Sequence, residues 1–158
     1  MKTLIVYATN SGTTEKCAKI LDKGLDNTTV INILDPNPDL SHYDLIIIGS
    51  NIKFGKINKN IKQFIYENYK TLKSKRTAYF ISCGFIKNAE EHFKNNFPQE
   101  LLDSSITYDT FGGELDLSKL QGFDKFIAKL VSKTEDGQQE IKILKSSIDK
   151  FIKEVNKK

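Results

Sequence analysis

The sequence predicts an α/β domain: a doubly wound, five-stranded parallel sheet with helices on both faces. Five short, mostly aliphatic runs alternate with segments whose apolar residues recur at helical spacing. The most apolar of them, Leu45 to Ile48, has no polar residue within it, as expected of a strand covered on both sides. A loop of small polar residues and one glycine joins the first run to the first helical segment, the place where such sheets bind ligands. With 158 residues, 39% of them hydrophobic, the chain is about one domain long, and we expect a single domain over residues 1–158.

The elements follow in order. Lys2 to Ala8 is the first strand, and from Thr13 the positions Cys17, Ala18, Ile20, Leu21 and Leu25 space a helix that Gly24 can end. Thr28 to Leu34 is β-branched and roughly alternating, and the two prolines after it stop regular structure. Tyr43 to Ser50 is the third strand; Ile57, Ile61, Phe64, Ile65 and Tyr69 space the next helix. Thr77 to Gly84 is the fourth strand, and Phe85 to Phe93 begins another helix. Ser105 to Gly113 is the fifth strand, and Ile141, Leu144, Ile148, Phe151, Ile152 and Val155 give a C-terminal amphipathic helix. Between these two lies an extra segment, Glu114 to Gln139.

Composition removes several function classes. No apolar run is long enough to cross a bilayer and the N-terminus has no signal-peptide layout, so a soluble, cytoplasmic protein is expected. Cys17 and Cys83 make no CxxC and have no histidine at ligand spacing, which argues against a disulfide framework or a metal site. His42 and His92 are isolated and read as surface residues. The net charge is +4 and the basic excess is almost all lysine, Arg76 being the lone arginine, with the lysines interleaved with acids; this argues against a nucleic-acid surface.

The loop Thr9-Asn10-Ser11-Gly12-Thr13-Thr14 carries the clearest chemistry. At the start of a helix its backbone N–H groups lack intrahelical partners and the dipole is positive outward, so it is suited to an anion. Four hydroxyls add donors, and Gly12 permits a positive φ or close backbone approach. A plain helix cap by Ser11 or Thr13 is the simpler alternative, but it needs one hydroxyl rather than four. The loop has no lysine, which an ATPase loop of the form GxxxxGK[ST] requires for its β and γ phosphates. A receiver domain needs acids after strands one and three, where Thr9, Asn10, Gly49 and Ser50 stand. A small tyrosine phosphatase needs an arginine six residues after its cysteine, where Lys23 and Ala89 stand. A terminal monophosphate held by neutral donors fits best.

Thr9-x-Ser11-Gly12-x-Thr14-Glu15 after a first strand resembles the FMN phosphate loop of flavodoxins, and the similarity in element order covers nearly the whole chain. Gly49 to Gly55, "GSNIKFG", the acid-free loop after the fourth strand, and Phe123 to Glu140 look like the protoporphyrinogen dehydrogenase branch of that superfamily. The resemblance implies strand order 2-1-3-4-5 and FMN as cofactor. It implies that Thr9, Asn10, Ser11, Gly12, Thr13 and Thr14 hold the phosphate. The ring would lie between Ser50, Asn51, Ile52, Lys53, Phe54 and Gly55 on one side and Ser82, Cys83, Gly84 and Phe85 on the other. Phe54 and Phe85 can stack on a flat ring, and Gly55 and Gly84 can turn tightly or bring backbone close. Cys83 lies near this position, although a free cysteine is usually a small buried hydrophobe.

The same resemblance implies an FMN-dependent oxidoreductase, with protoporphyrinogen as substrate and a quinone acceptor. An electron carrier working with redox partner proteins, or a binding module without FMN, is the alternative. The chain departs from acidic flavodoxin carriers in being basic and in having no Trp. Leu117 to Val131 is a basic amphipathic stretch that packs as an ordinary helix or lies peripherally on a membrane or a porphyrin-like substrate.

Overall fold

The computed structural model describes residues 1–35, 38–84, 86–114 and 142–157; Phe85, Leu117 to Val131 and Phe123 to Glu140 lie outside the described residues. In chain order the elements are β1 (Thr3–Ala8), α1 (Thr13–Gly24), β2 (Thr28–Asn32), β3 (Leu45–Lys53), β4 (Lys56–Ile57), α2 (Lys59–Glu67), α3 (Tyr69–Ser74), β5 (Arg76–Ser82), α4 (Ala89–Asn96), α5 (Gln99–Ser104), β6 (Thr107–Thr110) and α6 (Lys145–Val155). Among the described residues no helix is long and apolar enough to cross a membrane.

The main sheet has the order β2-β1-β3-β5-β6 with every pair parallel, which is the expected five-strand path. A sixth strand, β4, lies off this path, antiparallel to the end of β3. Ile57, read from its spacing as the start of a helix, belongs to β4. The helix itself divides at Asn68, whose side-chain amide donates to the Phe64 carbonyl at 2.9 Å. Helix α5 had no separate signal, because it is six residues long and directly follows Pro98.

Side-chain parity sorts the central strands onto two cores. Leu4, Val6, Ile46, Ile48, Tyr79 and Ile81 pack with Ile61, Phe64, Ile65 and Phe93 from α2 and α4. Ile5, Ile47 and Phe80 pack with Cys17 and Leu21 of α1 and with Ile148 and Phe151 of α6. Gly49 faces the second core, where the Phe80 ring lies across it: a Cβ there would stand 2.0 Å from the ring's Cζ. Phe80 in turn stacks on Phe111 at 4.7 Å between centroids, and Phe111 meets the edge of Phe151 at 5.1 Å. At the far end of the sheet Arg76 donates to the carbonyls of Val155, at 3.3 Å, and Lys157, at 3.1 Å, and so ties the end of α6 to β5.

Candidate functional site

In a sheet of this order the chain goes to one side after β1 and crosses to the other before β3, so the crevice opens beyond the carboxyl ends of these two strands. The register brings the loops together there: Ala8 pairs with Ser50, the last β1–β3 pair, and Asn51 with Ser82, the last β3–β5 pair. The loops 9–14, 50–55 and 82–84 therefore leave the sheet side by side.

Gly12 is the N-cap of α1, with φ 91° and ψ −9°, and no side chain caps the helix. The simple-cap reading of Ser11 or Thr13 is thereby corrected. The Gly12 N–H donates to Thr9 Oγ1 at 2.8 Å, which closes the loop on itself, and Lys16 is the first residue to bond back along the helix, to the Gly12 carbonyl at 3.0 Å. The first-turn N–H groups ahead of Lys16 face the loop, beside the hydroxyls of Ser11 and Thr13, which lie 3.4 Å apart. Thr14 reaches the loop from beneath: it is fully buried, and its hydroxyl shares a 2.7 Å hydrogen bond with Ser82 Oγ, joining the first loop to the third. Glu15, in the first turn, is paired with Lys19 at 2.6 Å, so its carboxylate is partly neutralised beside the helix start.

The second loop is a hairpin. Strand β3 runs on beyond the sheet to Lys53 and turns back through Phe54 and Gly55, with Lys53 opposite Lys56 and Ile52 opposite Ile57. Both turn residues have positive φ, 51° and 75°, as a tight two-residue turn between right-twisted strands requires. Two interactions hold it in place. Ser50 Oγ, buried, accepts the Asn58 N–H at 2.9 Å and donates to the Asn51 carbonyl at 3.0 Å. Asn96, arriving from α4, donates from Nδ2 to the carbonyls of Gly55, at 2.9 Å, and His92, at 2.8 Å, while its Oδ1 accepts the Ile57 N–H at 3.1 Å. Only this orientation of the amide satisfies all three partners. Asn58 Nδ2 also approaches Asn10 Oδ1 at 3.4 Å, linking the hairpin to the first loop. Asn58 and Asn96 are additions to the residues read from sequence. Asn58 caps α2, its Oδ1 accepting the Asn60 N–H at 2.9 Å, which an Asn ahead of a helical run could have signalled. The Ile57 and Gly55 partners of Asn96, by contrast, lie 39 and 41 positions away.

Two features of the hairpin are not accounted for by packing. Phe54, a bulky side chain in a left-handed conformation, is 66% exposed at the tip, with Lys53 Nζ 5.6 Å above its ring. Asn51 Oδ1 is buried without a hydrogen-bond partner among the described residues. A phenylalanine held at positive φ costs about 1–2 kcal/mol. Phe54→Asn, which suits this turn, should therefore raise the stability of the ligand-free protein by about 1 kcal/mol in urea unfolding. The same substitution should weaken flavin binding about tenfold if the ring is a stacking surface. Unchanged flavin affinity would remove Phe54 from the site.

The cysteines take packing roles. Cys17 faces the second core, where burial pushes its thiol up to about 12, far from a reactive thiolate. Cys83 is buried with Sγ 3.5 Å from Thr110 Oγ1, and its N–H donates to the Gly112 carbonyl at 2.9 Å. Gly84 follows it at the third loop. Among the described residues no group of three or more His, Cys, Asp and Glu could hold a metal ion. His42 is exposed, as expected, but it has a carboxylate neighbour: its Nε2 lies 3.2 Å from Asp39.

Comparison with known proteins agrees with this architecture. An uncharacterized protein of Methanocaldococcus jannaschii is 38% identical over 105 residues, 65% of this chain, and the chain spans 65% of that relative's length. The protoporphyrinogen IX dehydrogenase (quinone) of Escherichia coli is 25% identical over 149 residues, 87% of this chain and 82% of the relative. Among solved structures, a flavoprotein in complex with FMN from Lactobacillus acidophilus superposes with TM-score 0.52 at 23% identity, covering 69% of this chain and 92% of that one. The two-electron reduced flavodoxin of Megasphaera elsdenii gives TM-score 0.52 at 18% identity, over 68% and 84% of the two chains. These two likenesses concern the fold. The family model described as the flavodoxin domain matches residues 4–142, from the first strand past the last strand of the sheet, and the chain belongs to that family.

Proposed function

We propose that this protein binds FMN and works as an electron-transfer flavoprotein. The observation that carries the reading is the start of α1: a glycine N-cap at positive φ without a side-chain cap, ringed by hydroxyls and lacking lysine or arginine, at the switch point of the sheet. Such a site accepts a terminal phosphate on backbone N–H groups and neutral donors. In this reading Thr9, Asn10, Ser11, Gly12 and Thr13 hold the phosphate, and Thr14 fixes the loop from below through Ser82. The hairpin residues Ser50 to Gly55 and the loop Ser82 to Gly84 flank the ring, and Phe54 offers it an aromatic face. The unpartnered Asn51 Oδ1 fits a ligand rich in hydroxyl and N–H donors. When bound, FMN supplies the electron chemistry; the residues of this chain bind and orient it and exclude water from one side.

Titrating flavin into the purified protein tests this. Fluorescence of FMN should be quenched at lower concentration than that of riboflavin, because only FMN carries the phosphate. Absence of FMN binding at saturating ligand would overturn the reading.

A narrower reading rests on the 25% identity with the protoporphyrinogen IX dehydrogenase: oxidation of protoporphyrinogen with a quinone as acceptor, which would bring the protein to a membrane surface. Turnover of protoporphyrinogen by FMN-loaded protein that depends on added menaquinone supports it. No turnover, with FMN bound and reducible, leaves the electron carrier.

A further inference from the structure

From Leu45 to Tyr66 the chain contains no Asp or Glu and four lysines, Lys53, Lys56, Lys59 and Lys62, a local surplus equal to the +4 of the whole protein. The structure puts this surplus on one continuous surface beside the crevice. Lys53 and Lys56 face each other across the hairpin, and α2 begins three residues later with its N-terminus, and hence its positive dipole end, at the same rim. On α2 the buried positions are Ile61, Phe64 and Ile65, so Lys59, Lys62 and Tyr66, which share a stripe at helical spacing, point the opposite way. Lys56, Lys59 and Lys62 are exposed and have no ion pair or hydrogen bond from their side chains among the described residues. Some lysines elsewhere do have such partners, Lys19 with Glu15, Lys73 with Glu100 and Lys94 with Glu90, while Lys23, Lys70 and Lys153 stand singly rather than in a row. Tyr66 is 84% exposed and Phe54 66%, so two of the four exposed large hydrophobic residues among the described ones border this lysine row.

We propose that the hairpin–α2 face is the docking surface for an acidic redox partner protein. The inference rests on the electron-transfer reading, since it is the position of the face at the rim of the flavin crevice that makes it a place for a partner. Cations such as Lys56, Lys59 and Lys62, in no ion pair among the described residues, steer an anionic surface into contact, and an exposed aromatic among them supplies the desolvated anchor that charge alone does not. An extended basic groove for nucleic acid would favour arginines and stacked aromatics along a track, whereas this patch is lysine only and ends at the hairpin tip.

Isotope-labelled, FMN-loaded protein titrated with an acidic [2Fe–2S] ferredoxin should show amide shifts at Phe54, Lys56, Lys59, Lys62 and Tyr66. A basic c-type cytochrome should leave them in place. The triple variant Lys56→Glu/Lys59→Glu/Lys62→Glu should weaken the acidic probe about tenfold to a hundredfold at low salt, and the triple Gln variant should fall between. Because these lysines make no structural bonds, both variants should keep the melting temperature and the FMN affinity of the parent. Shifts centred on another face, or equal binding by the Glu variant, would overturn the proposal. So would a preference for a DNA duplex or for anionic phosphatidylserine vesicles over the protein probe. A chain that bound no FMN but still docked the acidic probe through these lysines would lose the flavin reading and keep the surface.

Discussion

Ser11→Asp should lower the affinity for FMN by about a hundredfold or more while leaving riboflavin binding within about twofold, as read by fluorescence titration of both flavins. Ser11 stands beside the uncapped start of α1, its hydroxyl 3.4 Å from that of Thr13. A carboxylate there occupies the field that a phosphate would use and repels the dianion. The ligand-free variant should be as stable as the parent or more so, by up to about 1 kcal/mol, because an acid at a helix N-terminus is favourable. Opposite signs for stability and FMN affinity distinguish loss of an anion site from general damage. Equal losses for FMN and riboflavin would mean that the loop does not hold the phosphate.

Gly49→Ala should cost about 3 kcal/mol and lower the melting temperature by about 6–12 °C. The new methyl would lie 2.0, 2.3 and 2.6 Å from three atoms of the Phe80 ring. That ring has nowhere to go, because it is stacked on Phe111, which is itself held by Phe151. Pairing the substitution with Phe80→Leu should restore part of the loss, so that the double variant is more stable than the sum of the two single effects allows. An unchanged melting temperature for Gly49→Ala would mean that the ring can move aside. Since Gly49 immediately precedes Ser50, flavin affinity in this variant also reports how far the strain reaches along β3.

The two cases differ in how far they could be read beforehand. The loop at Ser11 was legible because its chemistry is local: strand, polar residues, glycine and helix follow one another, and the missing lysine is visible by inspection. The parallel sheet was legible for the same reason, since Leu4 to Val6, Leu45 to Ile48 and Tyr79 to Ile81 are aliphatic or aromatic runs that only a doubly covered strand would bury. The hairpin was not. Its usual signal is Asn-Gly or Asp-Gly at the turn, and here Phe54 takes the left-handed position, while β4 is only two residues long and is held by Asn96 from 39 positions away. The Ile57 to Tyr69 pattern reads as one helix because periodicity counts apolar positions and is blind to the hydrogen bond that the Asn68 side chain donates to the Phe64 carbonyl where α2 ends. The contact between Phe80 and Gly49 was equally hidden, because only the register of β3 on β5 places one over the other.

Arg76 shows where composition gives way to geometry. Of 24 basic side chains in this protein all but one are lysine, whose ammonium groups are met by water, by single carboxylates or, at Lys75, by the carbonyls of Ser41 and Tyr43. Arg76 is engaged through two nitrogens at once, Nη2 with the carbonyls of Val155 and Lys157 at the end of α6 and Nη1 with Met1 Sδ at 3.3 Å, a spread that a planar fork spans and a single ammonium does not. In a chain whose residue vocabulary is this narrow, the rare letter stands where one side chain joins Met1 to the end of α6 through two separate nitrogens.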